Sequence, residues 1–502
     1  MEDGNFYATL KSEFSRSLEN PFLTVPYGVS FSYGDIDTLS AKIAGALKES
    51  GAKPGDRIVV QVEKSPANVA LYLAAMRAGL VYVPLNTAYT AHELDYFLSN
   101  AEPTIFICDP LKENTLTAPA KHAGIETILT LGVGGNGTLT DAAQNATPEN
   151  DICVRHADDL AVILYTSGTT GRSKGAMLSH GNLQSNALAL NSLWGFTSRD
   201  VLLHALPIFH IHGLFAALHT AMLSASEILF LPKFDVNEVR DALPRASIMM
   251  GVPTFYSRLL SDPEFGKAEC AHMRLFISGS APLTTEAFSA FEARTGHKIL
   301  ERYGMSEAGM IASNPLDGAR IPGTVGFPLP DISIRIQDDA GELVPTGETG
   351  NIEVKGPNIF KGYWRNPQKT AEEFTSDGFF KTGDNGSLDE TGRLTLMGRS
   401  KDLVIAGGYN IYPKEIEAVL DAIEGIAESA VIGAPHPDMG EGVIAIMIAE
   451  NAPLEDTIIE NALDALAKFK RPRKYFWLDQ LPRNAKVQKQ ILRECYKDVF
   501  EG

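Results

Sequence analysis

Between residue 31 and about residue 330, short apolar runs alternate with stretches of helical pattern, and this alternation is what most constrains the fold. Residues 56–62, 80–84, 104–108, 228–231, 247–250 and 274–278 are apolar enough to read as buried strands, while 66–79 reads as a helix apolar on most faces. Strands alternating with helices imply parallel sheets covered on both sides. After residue 330 the texture changes. Residues 332–336, 350–355 and 392–397 alternate apolar with polar, as half-exposed antiparallel strands do. Gly398-Arg399-Ser400-Lys401-Asp402 then breaks the pattern. Beyond it the spacing predicts a helix near 413–423, strands at 429–432 and 443–448, and an amphipathic helix near 457–468. The expected architecture is α/β: a large N-terminal domain over 1–399, built of parallel α/β sheets with a distorted antiparallel β subdomain at about 331–398. A hinge at 400–402 and a small mobile α+β domain over 403–502 follow.

A chain of 502 residues exceeds what one core usually serves, which agrees with more than one unit. The formal charge of −18 argues against a nucleic-acid partner, whose phosphates would be repelled on average. Four widely separated cysteines, with no CxxC pair, argue against a disulfide framework or zinc site and for a reducing cytoplasm. The first residues lack a signal-peptide pattern, and no apolar run is long enough to span a bilayer.

The apolar run 160–165 leads into Thr166-Ser167-Gly168-Thr169-Thr170-Gly171-Arg172-Ser173-Lys174-Gly175. Glycines let a backbone come close to a ligand, and its exposed N–H groups form an anion-binding nest. Hydroxyls add donors; Arg172 and Lys174 add positive charge. Placed directly after a buried strand, such a loop reads as a polyphosphate cradle, although Ser, Thr and Gly also fill ordinary loops.

The order of that loop resembles the signature of the acyl-adenylate-forming superfamily: acyl-CoA synthetases, peptide-synthetase adenylation domains and luciferases. Four further segments match in order, so the resemblance covers nearly the whole chain. Its implied ATP-binding residues are Thr166, Ser167, Gly168, Thr169, Thr170, Gly171 and Lys174, with Ser280, Ala281 and Pro282 on one wall of the pocket. Glu301-Arg302-Tyr303-Gly304-Met305-Ser306-Glu307 supplies Tyr303 to pack on the purine, Ser306 to donate to the α-phosphate, and Glu307 to hold Mg²⁺ between phosphates. Read alone, the same segment is also a helix start with Ser306 as N-cap. Asp384 and Arg399 fall at the ribose positions, though Gly383-Asp384 is common turn chemistry too. Lys401 falls at the pivot of the hinge, and Gly407 and Gly408 leave room for a thin pantetheine arm. The basic run around Lys470 and Arg473 is either a site for CoA phosphates or a solvated helix end.

The adenylation lysine of the family matches Lys486, which is also a candidate for regulatory acylation. Here the loop before it is two residues shorter than in relatives, which removes up to about 7 Å of reach, and Lys489 is the rival. The implied reaction has two steps. A carboxylate attacks Mg·ATP to give an acyl-adenylate and pyrophosphate, then CoA thiol displaces AMP.

Arg302 bears on which acid is activated. A buried guanidinium beside an acyl pocket is costly without an anion, and a second carboxylate on the substrate would supply one through two parallel hydrogen bonds. The alternative partners are Glu301 and Asp317. His210, Ser278 and Met310 complete the expected substrate set, and 209–213, 86–90 and 93–97 are similar to malonyl-CoA synthetases. Malonate is therefore the expected acid, with methylmalonate a further candidate. A short- or medium-chain monocarboxylate, or a nucleotide-binding homologue without full activity, is the alternative.

Overall fold

The computed structural model describes residues 3–26, 28–167, 173–281, 283–338, 340–399, 404–411, 413–482 and 489–501. The chain forms two compact units: Met1–Thr87, Asp95–Tyr165 and Gly175–Met397 make the first, and Ala88–Leu94, Thr166–Lys174 and Gly398–Gly502 the second.

The first unit holds two doubly covered sheets. One has the strand order Thr127–Thr130, Ile105–Cys108, Arg57–Gln61, Val81–Pro84, Leu160–Ser167, Ser173–Ser179, parallel at every pairing among its first five strands. The other has nine strands, and the six from Leu300–Met305 across to Pro21–Thr24 are parallel. Its edges are antiparallel, formed by Gly309–Ser313 and Phe327–Pro328 on one side and Ser30–Ser32 on the other. These strands read as unbroken apolar runs because both of their faces are buried. The helix Pro66–Arg77 fits the same logic: Ser65 caps it by accepting from the amide of Asn68, Pro66 takes the first turn, and residues 67–77 are all buried.

A four-stranded antiparallel sheet of Ser333–Gln337, Gly350–Lys355, Phe380–Leu388 and Leu394–Arg399 follows. In the second unit the long hairpin Ile426–His436 and Gly440–Ala449 alternates between two cores. Val431, Val443, Ala445 and Met447 face one, and Ala430, Ile432, Ile444 and Ile446 the other. The amphipathic helix expected near 457–468 stops at Leu463, because the chain turns there. Arg471 donates to the carbonyls of Asp464 and Leu466 and so terminates the helix. Among the described residues no helix is long and apolar enough to cross a membrane.

Candidate active site

Strand Leu300–Met305, a turn at 306–308 and strand Gly309–Ser313 form an antiparallel hairpin. Ser306 is therefore a hairpin-turn residue, and the helix-start alternative is wrong. The preference for a cap over a turn cannot be read locally, since Ser suits both. A Cβ on Gly304 would lie 2.3 Å from the carbonyl oxygen of Gly309, so the tight pairing requires glycine. Asn186 clamps the return strand, accepting from the amide of Met310 at 3.0 Å and donating to its carbonyl at 2.8 Å.

Tyr303 and Asp384 meet. The phenol donates to Asp384 Oδ2 at 2.5 Å, and both residues are buried. Asp384 lies inside strand Phe380–Leu388, not in a turn. Its amide donates to Thr382 Oγ1, whose hydroxyl donates to the carbonyl of Ile352. Glu307 is buried as well. Tyr363 Oη donates to its Oε1 at 3.1 Å, and its carbonyl accepts from the amide of Phe360. Among the described residues no cluster of three His, Cys, Asp or Glu is able to hold a metal by itself. A single held carboxylate nonetheless suits Mg²⁺, which usually takes one or two carboxylates and shares the substrate's phosphates.

Arg302 is buried on the same strand. Its Nη2 donates to Ser280 Oγ at 3.4 Å, and its Nε has no partner among the described residues. Neither carboxylate proposed as its partner takes it. Glu301, the next residue, points to the opposite face of the strand, as alternation requires. There it accepts from the amide of Gly323, and burial pushes its carboxyl up to about 7. Asp317 acts on Arg320 instead. With no anion beside it among the described residues, burial lowers the guanidinium of Arg302 to about 9.

Around Arg302 stand further buried polar groups. The hydroxyl of Ser278 has no partner among the described residues, and neither does His212 Nε2. His212 Nδ1 lies 3.4 Å from Ser280 Oγ. Ser280 is held at φ +71°, a conformation that costs a non-glycine residue energy and tends to mark ligand sites. Burial drives both histidines toward the neutral form: His210 is pushed down to about 4, and His212 is held well below its ordinary value by burial and by the nearby Arg302. Sequence reasoning missed His212, although it lies within the quoted 209–213 segment; two histidines at i and i+2 gave no way to choose between them. Met310 is buried beside a cavity of about 10 Å³, lined also by Ile211, Phe215 and Asn186, which is about the room of one water.

In the second unit, Thr166 and Lys174 are half-buried at the ends of the expected phosphate loop, and Gly407 and Gly408 both adopt positive φ. Arg473 is exposed. Lys470 requires a correction. It is 1% exposed, and its ammonium bridges Glu93 Oε1 at 2.6 Å and Glu415 Oε1 at 2.7 Å. A buried and a half-buried carboxylate hold it, so it is not a cation offered to CoA. Lys489 is likewise engaged, by Glu417 at 2.5 Å, which weakens it as the rival for adenylation. Gly168, Thr169, Thr170, Gly171, Pro282, Lys401 and Lys486 lie outside the described residues, as do the side chains of Ser167 and Arg399.

A family model described as AMP-binding enzyme matches residues 14–364, and one described as AMP-binding enzyme C-terminal domain matches 415–486. The chain belongs to the AMP-binding enzyme family. Within that family it is similar to the malonate–CoA ligase of Arabidopsis thaliana, 35% identical over 94% of this chain and 85% of the relative. It is also similar to the ATP-bound structure of MatB from Rhodopseudomonas palustris, with 51% identity, TM-score 0.79, and coverage of 99% of this chain and 100% of the other. A malonyl-CoA ligase solved as a ternary product complex with methylmalonyl-CoA and AMP is 32% identical, with TM-score 0.80, covering 93% and 97%. Like the CoA ligases among these relatives, this chain is an AMP-forming acid–CoA ligase that uses ATP and CoA.

Proposed function

We propose that the chain joins malonate to CoA through a malonyl-adenylate, releasing pyrophosphate and AMP. The observation that carries this reading is Arg302: a buried guanidinium with one long hydrogen bond and no carboxylate partner among the described residues. Such a group requires an anion, and a substrate bearing a second carboxylate brings one. Ser278, Ser280 and His212 offer polar atoms to the same carboxylate. His210 and His212 are neutral, so Arg302 supplies the positive charge of this group.

With the distal carboxylate held there, the proximal carboxylate is left to react. One of its oxygens attacks the α-phosphorus of ATP, the bond to the bridging oxygen of pyrophosphate breaks, and the malonyl-adenylate forms. Tyr303 packs on the purine, and its bond to Asp384 keeps that carboxylate in place for the ribose hydroxyls. Ser306 donates to the α-phosphate. Glu307 would hold Mg²⁺, which when bound offsets phosphate charge. Lys486 is the residue proposed to neutralise the reacting oxygens, and the 166–174 loop the cradle of the departing phosphates. In the second half-reaction the CoA thiolate attacks the acyl carbon and AMP leaves. Domain reorientation about Lys401 and a pantetheine path past Gly407 and Gly408 belong to that step, with the domain boundaries at 399–403. The four cysteines are free, which supports a reducing compartment such as the cytoplasm.

A panel of malonate, methylmalonate, propionate and hexanoate, assayed for pyrophosphate release and for the mass of the CoA product, tests the reading. Malonyl-CoA should dominate. Preferential turnover of a monocarboxylate, or pyrophosphate release from none, contradicts it.

A further inference from the structure

Lys64 is a buried lysine, 8% exposed, that the reaction above does not use. It lies in the loop between strand Arg57–Gln61 and helix Pro66–Arg77, yet its side chain reaches the other sheet, to His204 at the end of strand Val201–His204. The ammonium has three donors and three places to put them. Nζ is 2.8 Å from His204 Nδ1 and 2.9 Å from the carbonyl oxygen of His204, and it sits 4.3 Å from the centroid of the Phe230 ring. No carboxylate pairs with it among the described residues, and burial pulls its pKa well below the ordinary value. A lysine buried at such cost, without an acid, needs a reason.

The histidine supplies one. His204 Nε2 is 3.0 Å from the carbonyl oxygen of Gly213, which can only accept. Nε2 therefore carries the proton, Nδ1 carries a lone pair, and that lone pair accepts from Lys64. Gly213 closes a crowded turn, since a Cβ there would lie 2.1 Å from the carbonyl oxygen of Pro207. The same turn opens the π-helical segment His212–Ala217. We propose that Lys64 is a positioning residue for the diacid pocket: through the tautomer of His204 it fixes the Gly213 carbonyl, and with it the turn that presents His212 to Ser280 and Arg302. Without Lys64, Nδ1 loses its donor, so the tautomer and ring position that aim Nε2–H at the Gly213 carbonyl keep one tie in place of two, and the turn is held less firmly.

This inference rests on the diacid reading, and one comparison separates the two. Malonate and propionate share a three-carbon chain but differ in the distal carboxylate. Steady-state kinetics are measured for both acids with the full-length wild type and Lys64→Met. The ratio of kcat/KM for malonate to that for propionate should fall about tenfold or more in the variant, chiefly through KM for malonate. KM for ATP and the propionate kinetics should stay within about twofold. A merely structural lysine would lower activity on both acids together, and an unchanged ratio overturns the assignment. If Lys64→Met does not fold, His204→Gln is measured in its place, with the same ratio change expected and the same unchanged ratio overturning it. A wild type that prefers propionate overturns the diacid reading, and this inference with it.

Discussion

A Cβ on residue 279 would stand 2.4 Å from Cζ of Arg302, so glycine at 279 and the guanidinium at 302 occupy one space between them. Gly279→Ala must push the arginine out of its place or distort the loop that carries Ser280. Malonate-dependent kcat/KM should fall by about a hundredfold, while KM for ATP changes by less than about threefold. Steady-state pyrophosphate release with each substrate varied in turn checks both halves.

Tyr303→Phe removes the buried hydrogen bond that the phenol donates to Asp384. Hydrogen bonds to charged groups contribute about 1.5–3 kcal/mol, so ATP binding should weaken by about tenfold to a hundredfold. Titration calorimetry with ATP measures this directly, and malonate specificity should not change.

Glu301 gives a pH signature. Its carboxyl rises from an ordinary 4.5 to about 7 in the folded state, chiefly through burial. A raised value means that its contribution to stability is full below the unfolded pKa and is lost as pH climbs through about 7. Glu301→Gln keeps an acceptor for the amide of Gly323 and cannot ionise. Its Tm relative to wild type should therefore rise between about pH 5 and about pH 8 and then level off. Thermal melts across that range decide it.

Lys470→Met leaves Glu93 and Glu415 facing each other in a buried position. Breaking such a pair costs about 3–5 kcal/mol, so the variant should melt well below wild type while KM for CoA stays nearly constant. A raised KM for CoA at unchanged stability would restore the role that the basic run suggests.

Tyr363→Phe frees Glu307 Oε1 from its phenol donor. The gain in ATP affinity that Mg²⁺ brings, read by calorimetry with and without the ion, should shrink several-fold, and AMP binding without metal should be unaffected.

Much of the architecture is legible because parallel strands buried on both faces leave continuous apolar runs, as at Ile105–Cys108 and Leu275–Ser278. Arg302 was legible too, since a cation in a motif otherwise destined for burial is conspicuous. Partners far along the chain were not. Lys470 and Glu93 are separated by 377 positions, and a basic run shows its charges without showing what neutralises them. His204 and Lys64, 140 positions apart, are equally silent until two sheets bring them together. The helix-start alternative at Ser306 fell for a different reason: a helix cap and a hairpin turn ask the same local chemistry of a serine, and only the pairing of 300–305 with 309–313 decides between them.

The most direct measurement replaces the guanidinium itself. In Arg302→Ala, kcat/KM for malonate should collapse by about a hundredfold or more while ATP still binds with near wild-type affinity. Malonate-dependent AMP formation that is equal in variant and parent would contradict the account.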